Sequence, residues 1–324
     1  AGPRVTGTAR AQAPRQAGDL QSEYQAVIKD VLPSVVTIEA GESLGSGVVY
    51  DDEGHIVTNA HVVGSARSFR VTVATREQPL AARLISSYPD QDLAVIKLDG
   101  PPPDGVRPAR FGDSAKVEVG QIVLAMGAPL GLSGSVTQGI VSAIGRTVSE
   151  SRAGGGTGAT IGNMVQTSAP INPGNSGGAL VNLNSEVIGI PTLAAVDPGT
   201  DGGAAPGIGF AIPVSMVRTV VDQIVKFGSV RDSGRAALGI SGRTVLDDDY
   251  RPAGVAVERV LEDGAAQEAG LRVGDIITRV GDEEITTITS LLEALAALKP
   301  KQKVAVRYVR EGRARTAQVT LGEM

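Results

Sequence analysis

Short strand-like runs separated by glycines recur from Val35 to about Ile212, and this rhythm constrains the fold more than any other feature of the sequence. Among the runs are "SVVTIEA", "SGVVYD", "HIVTNAHVV", "DLAVIKLD", "QIVLAMG" and "GIGFAIP". Many short strands with turn residues between them are typical of an all-β barrel or sandwich. The chain has 42 glycines and only 3% aromatic residues, which also argues against a helical bundle. We therefore predict a mostly β fold.

The rhythm changes near residue 228, and we predict four parts. Residues 1–18 mix Pro, Gly, Arg, Gln and Ala without apolar periodicity, which is typical of a flexible tail. Residues 19–228 hold the strand-like runs, residues 229–234 form a linker, and residues 235–324 have the pattern of a small α+β domain. A chain of 324 residues is long enough for about two domains, which agrees with this division.

Four segments have the apolar spacing of helices. The first has Asp19 as its cap and ends at Pro33, and the second, "PVSMVRTVVDQIVKFG", ends at Gly228. The other two, "AAQEAGL" and "ITSLLEALAAL", lie in the predicted α+β domain. Helices are thus expected at the start of the chain, at the end of the strand-rich region and in the small domain.

Charge and missing residue types exclude several classes of function. The formal net charge is −5 and there is no basic stripe for phosphate contacts, so we expect no nucleic acid partner. Cysteine is absent and there are only two histidines, so we expect no metal site, and we predict no cofactor. No apolar run in the sequence reaches the roughly 18 residues that a membrane span needs.

The stretch "INPGNSGGAL", Ile171 to Leu180, surrounds one serine with glycines, asparagines and a proline. These are the usual residues of a surface turn, and that is one interpretation. The other is a nucleophile at Ser176, with the backbone N–H groups of Gly174, Asn175 and Ser176 close to one point in space. Such a concavity stabilises an oxyanion during acyl transfer.

A nucleophilic serine needs a base, and the two histidines are the candidates. His61 ends the apolar run "VTNAHVV", where its side chain can reach a cleft. His55 follows the turn residues "DDEG", so we expect a solvated loop histidine there. A structural histidine is the alternative for His61. We predict that His61 is the base.

The base in turn needs an acid to hold its tautomer, and "YPDQDLAVIKL" offers two carboxylates. Asp92 directly precedes an apolar run, so it is the better placed to be desolvated and fixed, whereas Asp90 follows Pro89 as a turn residue would. A solvated loop carboxylate is the alternative for both. The order His61, Asp92, Ser176 is that of the chymotrypsin arrangement.

Longer phrases carry a family resemblance. The runs "GSGVV", "VTNAHVV", "DLAVIKL", "INPGNSGGALVN" and "GIGFAIP", followed by "ALGIS" and "EAGLRVGDIITRVG", resemble the HtrA family of serine proteases over residues 20–324. The resemblance implies a trypsin-like double β-barrel in residues 19–228 and a PDZ domain in residues 235–324. It implies that His61 is the general base, that Asp92 orients it and that Ser176 attacks the peptide carbonyl. It also implies that Gly174 and Ser176 donate oxyanion N–H groups.

The resemblance implies a substrate cleft beside Ser176. No acidic residue stands where a trypsin-like pocket would bind Lys or Arg, since Pro170 is six residues before Ser176 and is followed by Ile171. We therefore expect small or medium aliphatic substrate side chains. In the family the strand "GIGFAIP" borders this pocket, which would place Ile208, Gly209 and Phe210 along the cleft. The alternative for these residues is plain barrel core.

In the predicted PDZ domain, Leu238-Gly239-Ile240 matches the family's loop whose backbone amides bind the C-terminal carboxylate of a peptide. A free chain end would add a strand beside "GISGRTV" and face the helix "ITSLLEALAAL". The alternative is that the leucines of this helix simply fill the domain core.

The expected function is an ATP-independent serine endopeptidase that cleaves unfolded or misfolded proteins in the periplasm, the cell wall or the secreted space. A chaperone or peptide-binding scaffold with latent proteolysis is the alternative. The resemblance also implies a homotrimer, in which Tyr24 on the first helix would contact a neighbouring subunit. The same helix face can instead cover the barrel of its own chain. A membrane anchor upstream of the chain is compatible with the family.

Overall fold

The structure is a computed structural model that describes residues 17–41, 43–73, 78–127, 134–149, 157–172, 174–196 and 204–323. It contains two β-barrels followed by a smaller unit of strands and helices. Of the predicted flexible tail, residues 1–16 lie outside the described residues. Within the described ranges, no helix combines the length and the apolar character needed to cross a bilayer.

The first barrel is a closed antiparallel sheet with the strand order β1-β2-β3-β6-β5-β4, in which β4 also pairs with β1. Successive side chains on a strand point to opposite faces. Val36 and Ile38 accordingly fill the barrel interior, while Val35 packs in a core shared with the second barrel. A short helix, α2 (Ala60–Val63), follows β3. The strands are β1 (Val35–Ala40), β2 (Ser43–Val49), β3 (His55–Thr58), β4 (Ser68–Val73), β5 (Leu80–Tyr88) and β6 (Leu93–Leu98).

The second barrel is a sheet with the order β11-β8-β9-β10-β13-β12-β7, closed because β11 also pairs with β12. The register shifts between β9 and β10 and between β12 and β13. Such bulges bend a strand and increase its twist, which helps a sheet to curve. The strands are β7 (Arg110–Phe111), β8 (Ile122–Gly127), β9 (Ser135–Ser149), β10 (Thr160–Thr167), β11 (Ala179–Asn182), β12 (Glu186–Val196) and β13 (Ala204–Pro213).

Two helices complete the core between the barrels. Helix α3 (Val214–Phe227) buries one apolar face there and ends at Gly228, whose φ of 74° is the left-handed conformation that glycine tolerates at a helix end. Helix α1 (Ala17–Val31) begins before Asp19, which lies in the first turn and is not the cap that the sequence predicts. A carboxylate there still interacts favourably with the helix dipole. Tyr24 is partly buried against this core of its own chain.

Residues 236–321 build a separate hydrophobic core. Its main sheet has the order β15-β16-β17-β19-β20, with β18 beside β17, and β14 pairs with β21. The helices α4 (Ala265–Glu268) and α5 (Ile288–Ala296) lie in the two segments predicted to be helical, and α5 begins with a capping box. The strands are β14 (Ala236–Ala237), β15 (Ile240–Leu246), β16 (Pro252–Val260), β17 (Ile276–Val280), β18 (Glu283–Glu284), β19 (Lys303–Arg310), β20 (Arg313–Thr320) and β21 (Gly322–Glu323).

Helix α5 also packs against strands β9 and β10 of the second barrel. Gly162 permits this approach, because a Cβ atom at that position would lie 2.2 Å from the carbonyl oxygen of Ala296. The hydroxyl of Ser149 donates a hydrogen bond to the carboxylate of Glu293 at 3.3 Å. One helix therefore contacts both its own sheet and the neighbouring barrel.

Candidate active site

His61 and Asp92, both from the first barrel, form a hydrogen-bonded pair. Nδ1 of His61 is 2.8 Å from Oδ2 of Asp92, and the backbone N–H of His61 donates to Oδ1 at 3.0 Å. Both carboxylate oxygens of Asp92 thus contact His61. A carboxylate bound to Nδ1–H fixes the tautomer in which Nε2 is available as a base.

Backbone hydrogen bonds also hold Asp92 in place. The residue follows a 3-10 turn at Pro89–Gln91 and has φ 48° and ψ 42°, a left-handed conformation that is uncommon without glycine. Its N–H donates to the carbonyl of Pro89 at 3.1 Å, and its carbonyl accepts from Nδ2 of Asn59 at 2.9 Å. Asp92 is fully buried, whereas Asp90 is an exposed turn residue.

Thr192 on β12 links the second barrel to this pair, and it was not among the residues predicted from the sequence. Its hydroxyl donates a short hydrogen bond of 2.5 Å to Oδ2 of Asp92. A buried carboxylate is costly unless hydrogen bonds compensate its desolvation, and Thr192 supplies one of them. The only sequence signal was a hydroxyl residue in the apolar run "EVIGIPTL", which is too weak to assign a partner 100 positions away.

Ser176 lies beside the same threonine. Its hydroxyl donates to the carbonyl oxygen of Thr192 at 2.6 Å, so one residue contacts both the acid and the candidate nucleophile. The structure thereby brings His61, Asp92 and Ser176 into one hydrogen-bonded cluster at the junction of the two barrels. For attack on a carbonyl, the hydroxyl has to leave Thr192 and donate to Nε2 of His61.

The loop that carries Ser176 is held by both barrels. Ser46 on β2 donates its N–H to the carbonyl of Ser176 at 3.0 Å and its hydroxyl to the carbonyl of Gly174 at 2.5 Å. From the other side, the N–H of Gly177 donates to the carbonyl of Pro191 at 2.9 Å. Gly177 has φ 81°, and a Cβ atom there would lie 2.2 Å from the carbonyl oxygen of Ser46. The turn therefore requires glycine at this position.

The predicted oxyanion donors differ in their hydrogen bonding. The N–H of Asn175 donates to the carbonyl of Asn172 at 3.0 Å within the turn, so this amide is already used. Gly174 has φ 105°, a backbone conformation that side chains rarely adopt. The prediction that Asn175 supplies an oxyanion N–H is therefore not supported by this geometry, and the amides of Gly174 and Ser176 are the better candidates.

His55 is not the solvated loop residue that the sequence predicts. It is the first residue of β3 and only 5% exposed, and its Nδ1 is 2.7 Å from Oδ2 of Asp51. The turn between β2 and β3 folds the carboxylate back over the ring, which the turn residues alone do not reveal. In the part of the chain that the structure describes, His, Asp and Glu side chains form no group of three or more that could hold a metal ion.

The predicted cleft residues separate into two sets. Ile171 packs on Gly209, because a Cβ atom on the glycine would lie 2.5 Å from Cγ1 of Ile171. Ile208 is 38% exposed next to them, which suits a surface that meets substrate. Phe210 instead packs against the core between the barrels, the alternative considered for this strand.

The loop at Leu238–Ile240 begins strand β15. Leu238 is buried in the core of the small unit, and Gly239 has the left-handed φ of 73°. The carbonyls of Leu238 and Gly239 accept from the backbone N–H groups of Ala266 and Leu261. Helix α5 faces β15, since the N–H of Ile288 donates to the hydroxyl of Thr244 at 2.9 Å.

Known proteins agree with this architecture. The trypsin-like peptidase domain family matches residues 45–190, and the PDZ domain family matches residues 236–321. A solved serine endoprotease from Yersinia pestis is 33% identical, with a TM-score of 0.61 over 93% of this chain and 98% of that one. The HtrA-type protease AlgW, solved with a tripeptide, is 31% identical, with a TM-score of 0.63 over 93% and 97% of the two chains. The chain belongs to the HtrA family of serine proteases.

Curated relatives carry the same family character. A probable periplasmic serine endoprotease DegP-like of Pseudomonas putida (strain W619) is 37% identical over 87% of this chain and 56% of its own length. The serine protease PepD of Mycobacterium tuberculosis is 35% identical over 92% of this chain and 65% of its own length. The chain thus spans between about half and two thirds of the curated HtrA relatives it matches. The predicted fold, a trypsin-like double β-barrel followed by a small PDZ domain, is confirmed.

Proposed function

We propose that this HtrA protein is an ATP-independent serine endopeptidase that cleaves unfolded or misfolded polypeptides in an extracytoplasmic compartment. The observation that carries the proposal is the hydrogen-bonded cluster that joins His61 and Asp92 of one barrel to Thr192 and Ser176 of the other. Periplasmic serine endoproteases among the relatives support the compartment. The scaffold with latent proteolysis is not favoured, because these relatives are named as endoproteases.

The proposed mechanism assigns one role to each residue. Nε2 of His61 takes the proton of the Ser176 hydroxyl as Oγ bonds to the peptide carbonyl carbon, and Asp92 stabilises the imidazolium that forms. The oxyanion accepts hydrogen bonds from the amides of Gly174 and Ser176. His61 then gives the proton to the amine nitrogen as the C–N bond breaks, which leaves the acyl group on Oγ of Ser176. His61 next takes a proton from a water molecule that attacks the acyl carbon, and it returns the proton to Oγ of Ser176 as the acyl–oxygen bond breaks.

The cleavage of casein and labelling by a fluorophosphonate probe test this proposal. Because the three residues act as a unit, Ser176→Ala and His61→Ala should each lower kcat by about 10⁴-fold or more. His55→Ala is the control, since the His55 ring pairs with Asp51 and has no role in the proposed mechanism, and activity per folded molecule should remain. Full activity of Ser176→Ala would exclude this site.

The PDZ domain is proposed to bind the C-termini of peptides and to regulate cleavage. The amides of Leu238, Gly239 and Ile240 would receive the carboxylate, and the peptide would add a strand beside β15. Leu291 and Leu295 of helix α5 lie in the domain core, so the partly exposed Leu292 is the leucine left to face such a peptide. The homotrimer stays a prediction. The partial burial of Tyr24 in its own core does not support a role for this residue in subunit contacts.

A further inference from the structure

The 3-10 turn before Asp92 is held from outside by residues 228–235, the connecting segment between helix α3 and the first strand of the PDZ domain, which is one residue longer at each end than the linker predicted from the sequence. The guanidinium of Arg235 donates to the carbonyl of Asp90 at 3.2 Å and to the carbonyl of Thr160 on β10 at 3.3 Å. Its side chain is only 13% exposed and lies 3.7 Å from the carboxylate of Asp90. One residue thus bridges the turn of the first barrel to a strand of the second.

A second contact reaches the residue next to the acid. Gln91 is 4% exposed, and its Nε2 donates to the carbonyl of Ser233 at 3.2 Å. Its Oε1 is buried and has no hydrogen-bond partner among the residues that the structure describes. An unsatisfied buried acceptor is costly, and the bond from Nε2 to Ser233 spares the buried amide the further cost of an unsatisfied donor.

Tyr88 closes the same junction. Burial raises the pKa of its hydroxyl and the nearby carboxylate of Asp90 adds to this, while hydrogen bonds with Ser233 and Arg235 act in the opposite direction. Ser233 therefore contacts residues at both ends of the turn, Tyr88 before it and Gln91 within it, and Arg235 also contacts Tyr88. Arg235 and Ser233 are named the linker clamp below.

We propose that the linker clamp positions the catalytic acid, so that Arg235 and Ser233 are positioning residues for Asp92. The inference rests on the proposed function. Asp92 has an uncommon left-handed backbone that the turn in front of it must impose, and its carboxylate has to meet donors on both barrels at once. A displacement of the turn therefore misaligns His61 directly. Arginine suits this position because its planar fork can donate to two carbonyls at fixed angles, which lysine cannot do.

The test compares three variants of the full chain: Arg235→Ala, Arg235→Lys and, as a control, Arg231→Ala. Arg231 lies in the same connecting segment, and its guanidinium stacks 4.2 Å from the ring centroid of Phe227. The measurements are kcat and KM on a short chromogenic peptide with valine before the scissile bond, and the pH profile of kcat/KM. The acid limb of that profile reports the protonation of the base in the free enzyme.

We expect Arg235→Ala to lower kcat about 10- to 100-fold with KM unchanged, as small displacements of catalytic groups do. The acid limb should move to lower pH, because a misplaced Asp92 stabilises the imidazolium less. The kcat of Arg235→Lys should lie between those of the parent and of Arg235→Ala. The kcat and the pH profile of Arg231→Ala should match those of the parent.

If the clamp only stabilises the fold, Arg235→Ala should lower the melting temperature and leave the acid limb of its kcat/KM profile unchanged. That result would overturn the inference. An Arg235→Ala protein with parental kcat and pH profile would overturn it too. If Arg235→Ala does not fold by circular dichroism, Arg235→Lys is judged by the same criteria. A parent protein that neither cleaves the peptide nor reacts with the fluorophosphonate would contradict the proposed function instead.

Discussion

The hydroxyl of Thr192 offers a test at the scale of one residue. Thr192→Val keeps the shape of the side chain and removes the donor to Asp92, so the carboxylate loses a partner that is already in place before substrate binds. A hydrogen bond to a charged group contributes about 1.5–3 kcal/mol, so we expect kcat to fall roughly 10- to 100-fold. Steady-state kinetics on the valine peptide should show KM unchanged.

Thr192→Ser is the matched control for this experiment, because serine retains the hydroxyl without the methyl group. It should keep most of the activity. A Thr192→Val protein with parental kcat, beside a Thr192→Ser protein with lowered kcat, would mean that packing of the methyl group, and not the bond to Asp92, matters at this position.

Single residues also show how far sequence reasoning reaches. His61, Asp92 and Ser176 could be proposed together because each stands beside an apolar run, a pattern that lies within a few neighbouring residues, and the structure brings the three into one cluster. Thr192 could not be proposed, because its role exists only where β12 of one barrel meets the acid of the other. The prediction for His55 was wrong because Asp51 folds back onto the ring and draws it into the buried side of the turn.

At the scale of elements, an ion pair joins the strands of the PDZ domain. Asp275, just before β17, is 1% exposed and accepts from Nε and an Nη of Arg310 at the end of β19, at 2.7 and 2.8 Å. Burial would raise the pKa of Asp275, but the hydrogen bonds from Arg310 and from the backbone N–H of Arg272 outweigh burial and hold the pKa below its ordinary value. The charged pair therefore favours the folded domain.

The sign of the pH dependence follows from that direction. A carboxyl group whose pKa is lower in the folded state contributes stability above its unfolded pKa, and this contribution is lost as the pH falls through the folded pKa. We expect the melting temperature of the PDZ domain to fall when the pH is lowered below about 4, where aspartate ordinarily becomes protonated. Asp275→Asn should lower the melting temperature at pH 7 and flatten the drop in calorimetry of the full chain.

Asp249→Asn is the control, since that carboxylate is 72% exposed and pairs with Arg251 at 3.5 Å. It should change neither the melting temperature nor its pH dependence. If Asp275→Asn shows the same steep fall in acid as the parent, another carboxyl group governs the acid stability of the domain.

Elements were more predictable than their bounds. Helices α3, α4 and α5 were predicted because apolar spacing and end signals such as Gly228 are local. Helix α1 was predicted too, but it begins at Ala17, ahead of the expected cap, because its position depends on packing against the core between the barrels. The register shifts in β9 and β12 had no visible signal, since they depend on which strands become neighbours.

At the scale of the whole molecule, the contact between α5 and β10 can be tested through Gly162. Gly162→Ala places a methyl group where the backbone of Ala296 lies, so the PDZ domain must move away from the barrel. We expect each domain to stay folded, while small-angle scattering shows a larger radius of gyration and added trypsin cleaves the connecting segment faster.

Gly100→Ala is the matched control, because nothing lies within 4 Å of a Cβ atom there and its backbone is not left-handed. It should scatter like the parent. A Gly162→Ala protein with parental dimensions and parental trypsin sensitivity would show that helix α5 adjusts locally to the methyl group and that the domain contact survives.

The distribution of the candidate catalytic residues over the two barrels has a consequence for biosynthesis. A ribosome makes the base and the acid first, at positions 61 and 92, and the nucleophile only at position 176. Because domains form from the N-terminus during synthesis, the first barrel can fold while the chain still has no means of hydrolysis. The candidate cluster is complete only once β12 is in place, because Thr192 on that strand joins Asp92 to Ser176. In the proposed mechanism, a partly made chain therefore holds the base and the acid but lacks the nucleophile.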